Sequence, residues 1–251
     1  MKALILSRGT GGGHNSAAAA LALALCKHGM ECDSIDAYDI FASMSEGSDY
    51  VSNTYIEIAR NAPRLFGWIY RVGDTVSSWN ITSPVYYANI CNARKLHAFI
   101  EAGGYDAVLC THLFPAETLS YIKKYYRPSY AMYSIATDYT CIPFWQEPQM
   151  DQYFIPHAAL RDEFVAKGIP EDRIVVTGIP VSSAFAVSMP QKEARAALGI
   201  NPDKKVILMM AGSFGCRYIE PAVQALSRRC DANTSLIVVT GTNERLRQAL
   251  V

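Results

Sequence analysis

The sequence of 251 residues lacks several features that would place it in a common functional class. It has no surplus of basic residues, since 23 lysines and arginines are balanced by 23 aspartates and glutamates. This balance argues against a nucleic-acid partner bound through phosphate neutralisation. No run of residues approaches the roughly 18–20 apolar positions that cross a bilayer. Any attachment to a membrane is therefore expected to be peripheral.

The seven cysteines are scattered and lack Cys-x-x-Cys spacing. No secretory n-region or small-residue cleavage site is recognisable. Together these observations predict a protein of the reducing cytoplasm without a cysteine-bound metal. A Gly-Lys-Ser/Thr motif is also missing, which excludes the P-loop class of nucleotide-binding proteins.

The start of the chain is its most informative part. An apolar run at residues 2–7 leads into Gly11, Gly12, Gly13, His14 and Asn15, and an alanine- and leucine-rich helix is expected from about residue 16 to 28. Glycines let the backbone approach a ligand closely, and the unpaired N–H groups at a helix start attract phosphate. A cation is disfavoured at that helix end, so the His14 imidazole is expected to be neutral and able to accept a proton. These features suggest group transfer from a phosphorylated donor.

The rest of the sequence alternates short aliphatic runs with helical patterns, which is typical of βαβ units and a parallel sheet. Strands are predicted at residues 3–6, 32–37, 107–110, 131–135, 152–155, 174–177, 206–210 and 236–240. Helices are predicted at residues 16–28, 49–61, 85–102, 116–125, 159–167, 191–197, 219–229 and 243–250. The fold class is therefore expected to be α/β.

A domain boundary is expected after Gly178 and Pro180, where a weakly patterned segment precedes a second strand–turn–helix pattern. We predict an N-terminal Rossmann-like domain at residues 1–185, a linker at 186–203 and the start of a second Rossmann-like domain at 204–251. Two strands are too few to cover a core. The chain is therefore expected to be a truncated product or fragment of a longer two-domain protein.

Several motifs resemble those of one known family. The glycine-rich residues 11–17, the block Thr137-Asp138-Tyr139 with Trp145, and residues 151–154 and 174–181 are similar in order and spacing to the monogalactosyldiacylglycerol synthase and processive diacylglycerol glucosyltransferase family. Residues 212–215 and 239–244 resemble the opening of that family's second domain. The family is related to the peptidoglycan N-acetylglucosaminyltransferase.

The resemblance implies a GT-B fold, in which an acceptor-binding and a donor-binding Rossmann-like domain face each other across a cleft. It also implies an inverting hexosyltransferase that moves a hexose from a UDP-sugar to diacylglycerol or a glycolipid, without a metal or other cofactor. The expected location is the cytoplasmic face of the membrane, with peripheral attachment. Because the family's second domain is longer, donor binding and turnover by this chain alone are left open.

The predicted catalytic pair is His14 and Asp138. His14 would take the proton from the acceptor hydroxyl, although it could instead merely hydrogen-bond the glycine loop. Asp138 follows a predicted strand, at the sheet edge where α/β proteins bind ligands. It would support His14 or bind the acceptor, unless it forms an Asx turn that ends the strand.

Substrate contacts, to the donor phosphate or the acceptor, are predicted for Gly11, Gly12, Gly13, Asn15, His112, Thr137, Gly212, Ser213 and Gly215. In the second glycine turn, N–H groups would hold the donor diphosphate and stabilise the departing UDP. Those glycines are equally explained by the backbone angles of a turn. His112 is at least as well explained as a loop histidine bonded to the backbone.

Two other functions stay open. Aromatic residues and arginines between Arg60 and Tyr87 suit contact with lipid headgroups, so the chain could be a non-catalytic acceptor- and membrane-binding fragment. The Gly9-x-Gly11 pattern also fits half of a dinucleotide fingerprint, with Asp36 or Asp39 placed to meet a ribose. A nicotinamide-dependent oxidoreductase is the less favoured alternative, because a histidine replaces the third glycine.

Overall fold

A computed structural model describes residues 1–9, 12–42, 84–210, 212 and 219–250. The chain forms two compact units; the first includes Met1–Thr10 and His14–Ser182, and the second includes Ser183–Val251. The domain limits 1–185, 186–203 and 204–251 stay a prediction. The predicted helix at 49–61 and most of the aromatic segment between Arg60 and Tyr87 lie outside the described residues.

The first unit alternates strands with helices along the chain. Its strands are β1 (Lys2–Ser7), β2 (Glu31–Asp36), β3 (Ala107–Cys110), β4 (Ala131–Ile135), β5 (Gln152–Ile155) and β6 (Ile174–Val176). Its α-helices within the described residues are α1 (Gly12–Lys27), α2 (Ala37–Ala42), α3 (Pro84–Ile90), α4 (Ala93–Gly103), α5 (Leu113–Tyr126) and α6 (Arg161–Ala166). Short 3-10 turns occupy Ala158–Leu160 and Glu171–Arg173.

The described strands of this unit form one parallel sheet in the order β2-β1-β3-β4-β5-β6. β2 lies on one side of β1 and β3 on the other, so the winding direction changes between them. Open α/β sheets bind ligands at the carboxyl ends of the strands at such a switch point. In this unit the switch point lies just beyond Ser7 of β1 and Cys110 of β3.

Both faces of the interior strand β1 are buried, which explains why its sequence is continuously apolar. Successive side chains of a strand point to opposite faces. Leu4 and Leu6 accordingly join the larger core cluster on one face, whereas Ala3 and Ile5 join the cluster that contains Ala18 of α1 on the other. Because core clusters cover both faces of the sheet at β1, a ligand would reach the sheet at the edge where the strands have their carboxyl ends.

The second unit contains the parallel pair β7 (Lys205–Met210) and β8 (Thr234–Val239). Its described helices are α7 (Gln191–Ala197), α8 (Ile219–Ser227) and α9 (Glu244–Leu250), with a 3-10 turn at Ser183–Ala186. Ile219, Val223 and Leu246 form a small core against one face of the pair. Among the described residues of the whole chain, no helix has the length and apolar character needed to span a membrane.

Several predicted element limits differ from the observed ones, and for two of them the contacts show the reason. β2 ends at Asp36, where its pairing with Ser7 of β1 ends, and Ala37 already belongs to α2. The helix predicted at 85–102 is two helices, α3 and α4. α3 ends at Ile90, one residue after Asn89. The Asn89 carbonyl oxygen accepts hydrogen bonds from the Thr118 hydroxyl and the Asn92 N–H, in place of the regular helical bond.

Candidate functional site

His14 lies in the first turn of α1, which begins at Gly12, earlier than the predicted residue 16. Its half-buried ring faces the carboxyl ends of two other strands. The His14 Nδ1 atom lies 2.8 Å from the carbonyl oxygen of Thr111, directly after β3, and 2.8 Å from the hydroxyl of Thr137, just after β4. The Thr111 hydroxyl also donates to the His14 carbonyl oxygen at 3.2 Å. The imidazole is therefore fixed at the switch point of the sheet.

The partners of Nδ1 determine which ring nitrogen of His14 carries the proton. A carbonyl oxygen can only accept a hydrogen bond, so Nδ1 must be the protonated nitrogen that donates to Thr111. The Thr137 hydroxyl then accepts from the same N–H. In the neutral imidazole this leaves the lone pair on Nε2, the ring atom that neither threonine contacts. The ring is thus prepared to accept a proton at Nε2.

His112 packs edge-on against His14, with ring centroids 4.6 Å apart. It is buried and precedes α5, where its Nδ1 accepts a hydrogen bond from the Phe114 N–H at 3.1 Å. Burial, together with the nearby His14 and Arg8, lowers the pKa of His112 well below its usual value. A neutral His112 therefore places no positive charge beside the His14 ring.

Sequence reasoning missed the ion pair at the end of β1. Arg8 is buried, and its guanidinium Nη1 lies 3.2 Å from Oδ1 of Asp36. The other oxygen of this carboxylate accepts the Gly9 N–H at 2.7 Å. Asp36 therefore holds the start of the glycine loop. Because both of its carboxylate oxygens have partners within the protein, the contact argues against the alternative of a nicotinamide-dependent oxidoreductase, in which Asp36 would bind the ribose of a dinucleotide. The signal in the sequence that could have revealed this ion pair is the position of Arg8 directly after β1 and of Asp36 at the end of β2.

Other predicted residues lie next to His14 along α1 or follow β4. Gly12, Gly13 and Asn15 belong to the first turn of α1, and Gly13 and Asn15 are exposed. Asp138 is half-buried after β4. Among the described residues, Asp138 makes no hydrogen bond to His14, whose ring is held by the two threonines. Contact between Asp138 and the acceptor stays a prediction, as do the substrate contacts of the other residues.

The second predicted phosphate turn is described only at Gly212, which follows β7, is exposed and has a φ of +70°. That angle favours glycine whether or not a ligand is bound. Gly11, Ser213 and Gly215 lie outside the described residues. Within the described part of the chain, no group of three or more His, Cys, Asp or Glu side chains is arranged to hold a metal ion.

The sequence pattern of the monogalactosyldiacylglycerol (MGDG) synthase family matches residues 14–181. The chain belongs to this family. It is 27% identical over 251 residues to a processive diacylglycerol beta-glucosyltransferase of Bacillus cytotoxicus, covering 100% of this chain and 63% of that protein. It is 30% identical over 146 residues to the enzyme of that name from Staphylococcus saprophyticus, covering 58% of this chain and 37% of the relative. The chain thus spans less than two thirds of the length of these relatives.

Solved structures also resemble the whole chain, among them an epimerase and a glycosyltransferase. A UDP-GlcNAc 2-epimerase from Neisseria meningitidis bound to UDP-GlcNAc gives a TM-score of 0.53 at 18% identity, covering 100% of this chain and 68% of that one. A glycosyltransferase from Rickettsia africae gives a TM-score of 0.55 at 15% identity, and the match covers 99% of this chain and 63% of that one. At such identities the likeness shows the fold alone. It confirms the predicted α/β class of the GT-B type.

Proposed function

We propose that this chain carries the acceptor side of an inverting glycosyltransferase, which moves a hexose from a UDP-sugar to the hydroxyl of diacylglycerol or a glycolipid. The observation that supports this most is the fixed imidazole of His14, with its Nε2 lone pair available at the switch point of the sheet. Membership of the MGDG synthase family, whose relatives are named as diacylglycerol glucosyltransferases, supports the choice of substrates.

In the proposed reaction, His14 Nε2 removes the proton of the acceptor hydroxyl as its oxygen attacks C1 of the hexose. The bond between C1 and the diphosphate oxygen breaks, UDP leaves with the electron pair, and the configuration at C1 inverts. Asp138 is proposed to contact the acceptor. N–H groups at Gly12, Gly13 and Gly212, together with Ser213, are proposed to stabilise the leaving diphosphate. UDP-sugar acts as a co-substrate, and the scheme uses no resident cofactor.

A transfer assay tests this function directly. The chain is incubated with radiolabelled UDP-glucose or UDP-galactose and diacylglycerol in detergent micelles, and we expect label in the lipid extract. Calorimetric titration with UDP accompanies the assay. Labelled lipid supports the proposal, whereas no transfer together with no heat from UDP would favour the non-catalytic acceptor-binding fragment.

Replacing Thr137 with valine should slow transfer by about three- to tenfold, because one hydrogen bond that orients the His14 ring is lost. The substitution should lower kcat more than it raises KM, because the Thr137 hydroxyl orients the His14 ring, the proposed general base. Steady-state rates over a range of acceptor concentrations measure the split. Thr137→Ser is the matched control, because it restores the hydroxyl. Equal impairment of the serine and valine variants would show that the hydroxyl does not orient the base.

We propose that the lipid surface is met by the tyrosine–lysine cleft, defined as the cavity of about 580 Å³ lined by Tyr86, Tyr87, Tyr121, Tyr125, Lys123, Lys124 and neighbouring residues. Tyr87 and Tyr125 are 59% and 58% exposed, which suits rings placed at headgroup level. The Lys124 ammonium lies 5.3 Å from the centre of the Tyr125 ring. Exposed aromatic rings beside a cation favour peripheral contact with an anionic cytoplasmic leaflet.

The double variant Lys124→Glu/Tyr125→Ser should bind phosphatidylglycerol vesicles about 30-fold more weakly than the parent. Each basic residue near an anionic surface contributes about 1 kcal/mol to the binding free energy. Replacing Lys124 with glutamate changes the net charge by two units, so about 2 kcal/mol of binding free energy should be lost. Vesicle flotation measures the bound fraction. Phe185→Ser/Lys192→Glu makes the same kind of change at exposed positions of the second unit and serves as the control. Equal loss in both variants would exclude a specific role for the cleft.

A further inference from the structure

The end of α1 brings two cysteines of the first unit together. Gly29, with a φ of +78°, reverses the chain after the helix. The Gly29 N–H donates to the Cys26 carbonyl at 3.0 Å, and the Met30 N–H donates to the Leu25 carbonyl at 3.1 Å. This pair of bonds is a Schellman motif. It returns the chain directly into β2, whose second residue is Cys32.

This turn places Cys26, in the last turn of α1, and Cys32, at the start of β2, on neighbouring segments of the chain. The Cys26 thiol is close enough to influence the Cys32 thiol. Cys26 is exposed, whereas Cys32 is partly buried against the cluster that includes Leu25 and Met30. Burial, followed by the neighbouring Cys26, raises the pKa of the Cys32 thiol. The accessible Cys26 is therefore the thiol that an oxidant meets first, and Cys32 is placed to react with the product.

The other described cysteines differ in their surroundings. Cys110 and Cys141 are buried in the core, where an oxidant has no direct access. Cys91 is exposed, and its thiol donates to the carbonyl oxygen of Tyr87. Cys230 is partly buried and belongs to the second unit. Among the described cysteines, Cys26 and Cys32 are thus the pair in which an accessible sulfur has a second thiol as a near neighbour.

We propose that Cys26 and Cys32 form a reversible disulfide when the protein meets a peroxide. The Cys26 thiolate attacks a peroxide oxygen and becomes a sulfenic acid, with release of one water. The Cys32 thiolate then attacks the sulfenic sulfur, which forms the S–S bond and releases a second water. Two thiols lose two hydrogen atoms in total, and the peroxide is reduced. A dithiol such as dithiothreitol reverses the reaction by exchange.

The disulfide would join the last turn of α1 to β2, at the end of the helix opposite to His14. It is therefore a modification site separate from the proposed transfer chemistry. The proposal does not rest on the function proposed above, because its readout is covalent and needs no substrate. A cross-link across the α1–β2 turn should raise the midpoint of thermal unfolding of the oxidised protein relative to the reduced one.

Peptide mapping tests the proposal. The native chain is treated with hydrogen peroxide, its remaining thiols are alkylated, and it is cut with trypsin without reduction. Cleavage after Arg8, Lys27 and Arg60 places the two cysteines on separate peptides, residues 9–27 and 28–60. We expect these two peptides to appear joined, with the mass of their sum less two hydrogen atoms. Treatment with dithiothreitol should separate them.

Cys26→Ser should abolish the joined peptide, and Cys91→Ser should leave it unchanged. The same oxidation in urea shows whether the fold contributes, and we expect the joined peptide to form at least about tenfold more slowly there. The proposal is overturned if both cysteines of the native chain remain available for alkylation, if Cys26 proceeds to the sulfinic acid while Cys32 is alkylated, or if urea has no effect on the rate.

Discussion

Replacing His14 with alanine is expected to lower the rate of hexose transfer by about 10²–10⁴-fold, the range that positioned proton transfer supplies. The variant loses Nε2 as the proton acceptor, while Thr111 and Thr137 remain in place beside the vacated position. The loss should appear in kcat, because the proton is transferred in the bond-forming step. Initial rates of label incorporation into lipid, with UDP-hexose saturating, measure it.

His28→Ala is the matched control, because His28 is an exposed histidine at the other end of α1. Its rate should equal that of the parent protein. A further check is the binding of UDP, which should be similar for the parent and the His14 variant if His14 serves the acceptor. An unchanged rate for His14→Ala would exclude His14 as the general base and would remove the main support for the transferase proposal.

Glu117→Gln is expected to change how stability depends on pH. Glu117 is fully buried in α5, and its Oε2 accepts a hydrogen bond of 2.5 Å from the Asn89 amide of α3. Burial raises the pKa of this carboxyl from 4.5 to about 8, and the nearby Glu147 adds to the shift while the Asn89 bond opposes it. At neutral pH the folded protein therefore holds Glu117 in its protonated form, which can donate to Glu147.

The direction of the effect follows from the raised pKa. The unfolded chain releases this proton above about pH 4.5, whereas the folded chain retains it until about pH 8. Stability from Glu117 is thus complete below pH 4.5 and is lost as the pH rises to 8. At about 1.4 kcal/mol per pKa unit, the parent should lose about 5 kcal/mol of unfolding free energy through Glu117 as the pH rises from below 4.5 to above 8.

Glutamine reproduces the neutral side chain, since its carbonyl can accept from Asn89 and its N–H can donate to Glu147. Glu117→Gln should therefore lack this part of the pH dependence and be the more stable protein at pH 8. Urea unfolding at a series of pH values measures the difference between parent and variant. Glu171→Gln, at an exposed position of the same unit, should follow the parent. Identical pH curves for the parent and Glu117→Gln would show that Glu117 is ionised in the fold.

Much of the fold could be predicted because the sheet is parallel and covered on both faces. Strands buried on both faces appear in the sequence as unbroken apolar runs, and β3, β4 and β5 have the predicted bounds. The errors arose where tertiary contacts set the boundary. The hydroxyl of Thr118 at the Asn89 carbonyl interrupts the helix predicted at 85–102, and no local propensity signals that contact.

The candidate site could be predicted only in part. His14 and Thr137 belong to motifs with a recognisable order, and both lie at the switch point. The role of Thr111 depends on its backbone carbonyl, a group that every residue possesses and that therefore leaves no mark in the sequence. Arg8 follows a strand where an arginine would ordinarily be exposed. Its burial depends on Asp36, which is 28 residues away along the chain.

The location of the ring proton on His14 is also a consequence of chain topology. Its two partners are 97 and 123 residues away in sequence. Such distant contacts form only after most of the loop-closure entropy has been lost. Before β3 docks beside β1 and β4 docks beside β3, neither threonine holds the proton on Nδ1, and the imidazole exchanges between its tautomers. The nitrogen chemical shifts of this one ring would therefore report when, during refolding, the central strands have assembled.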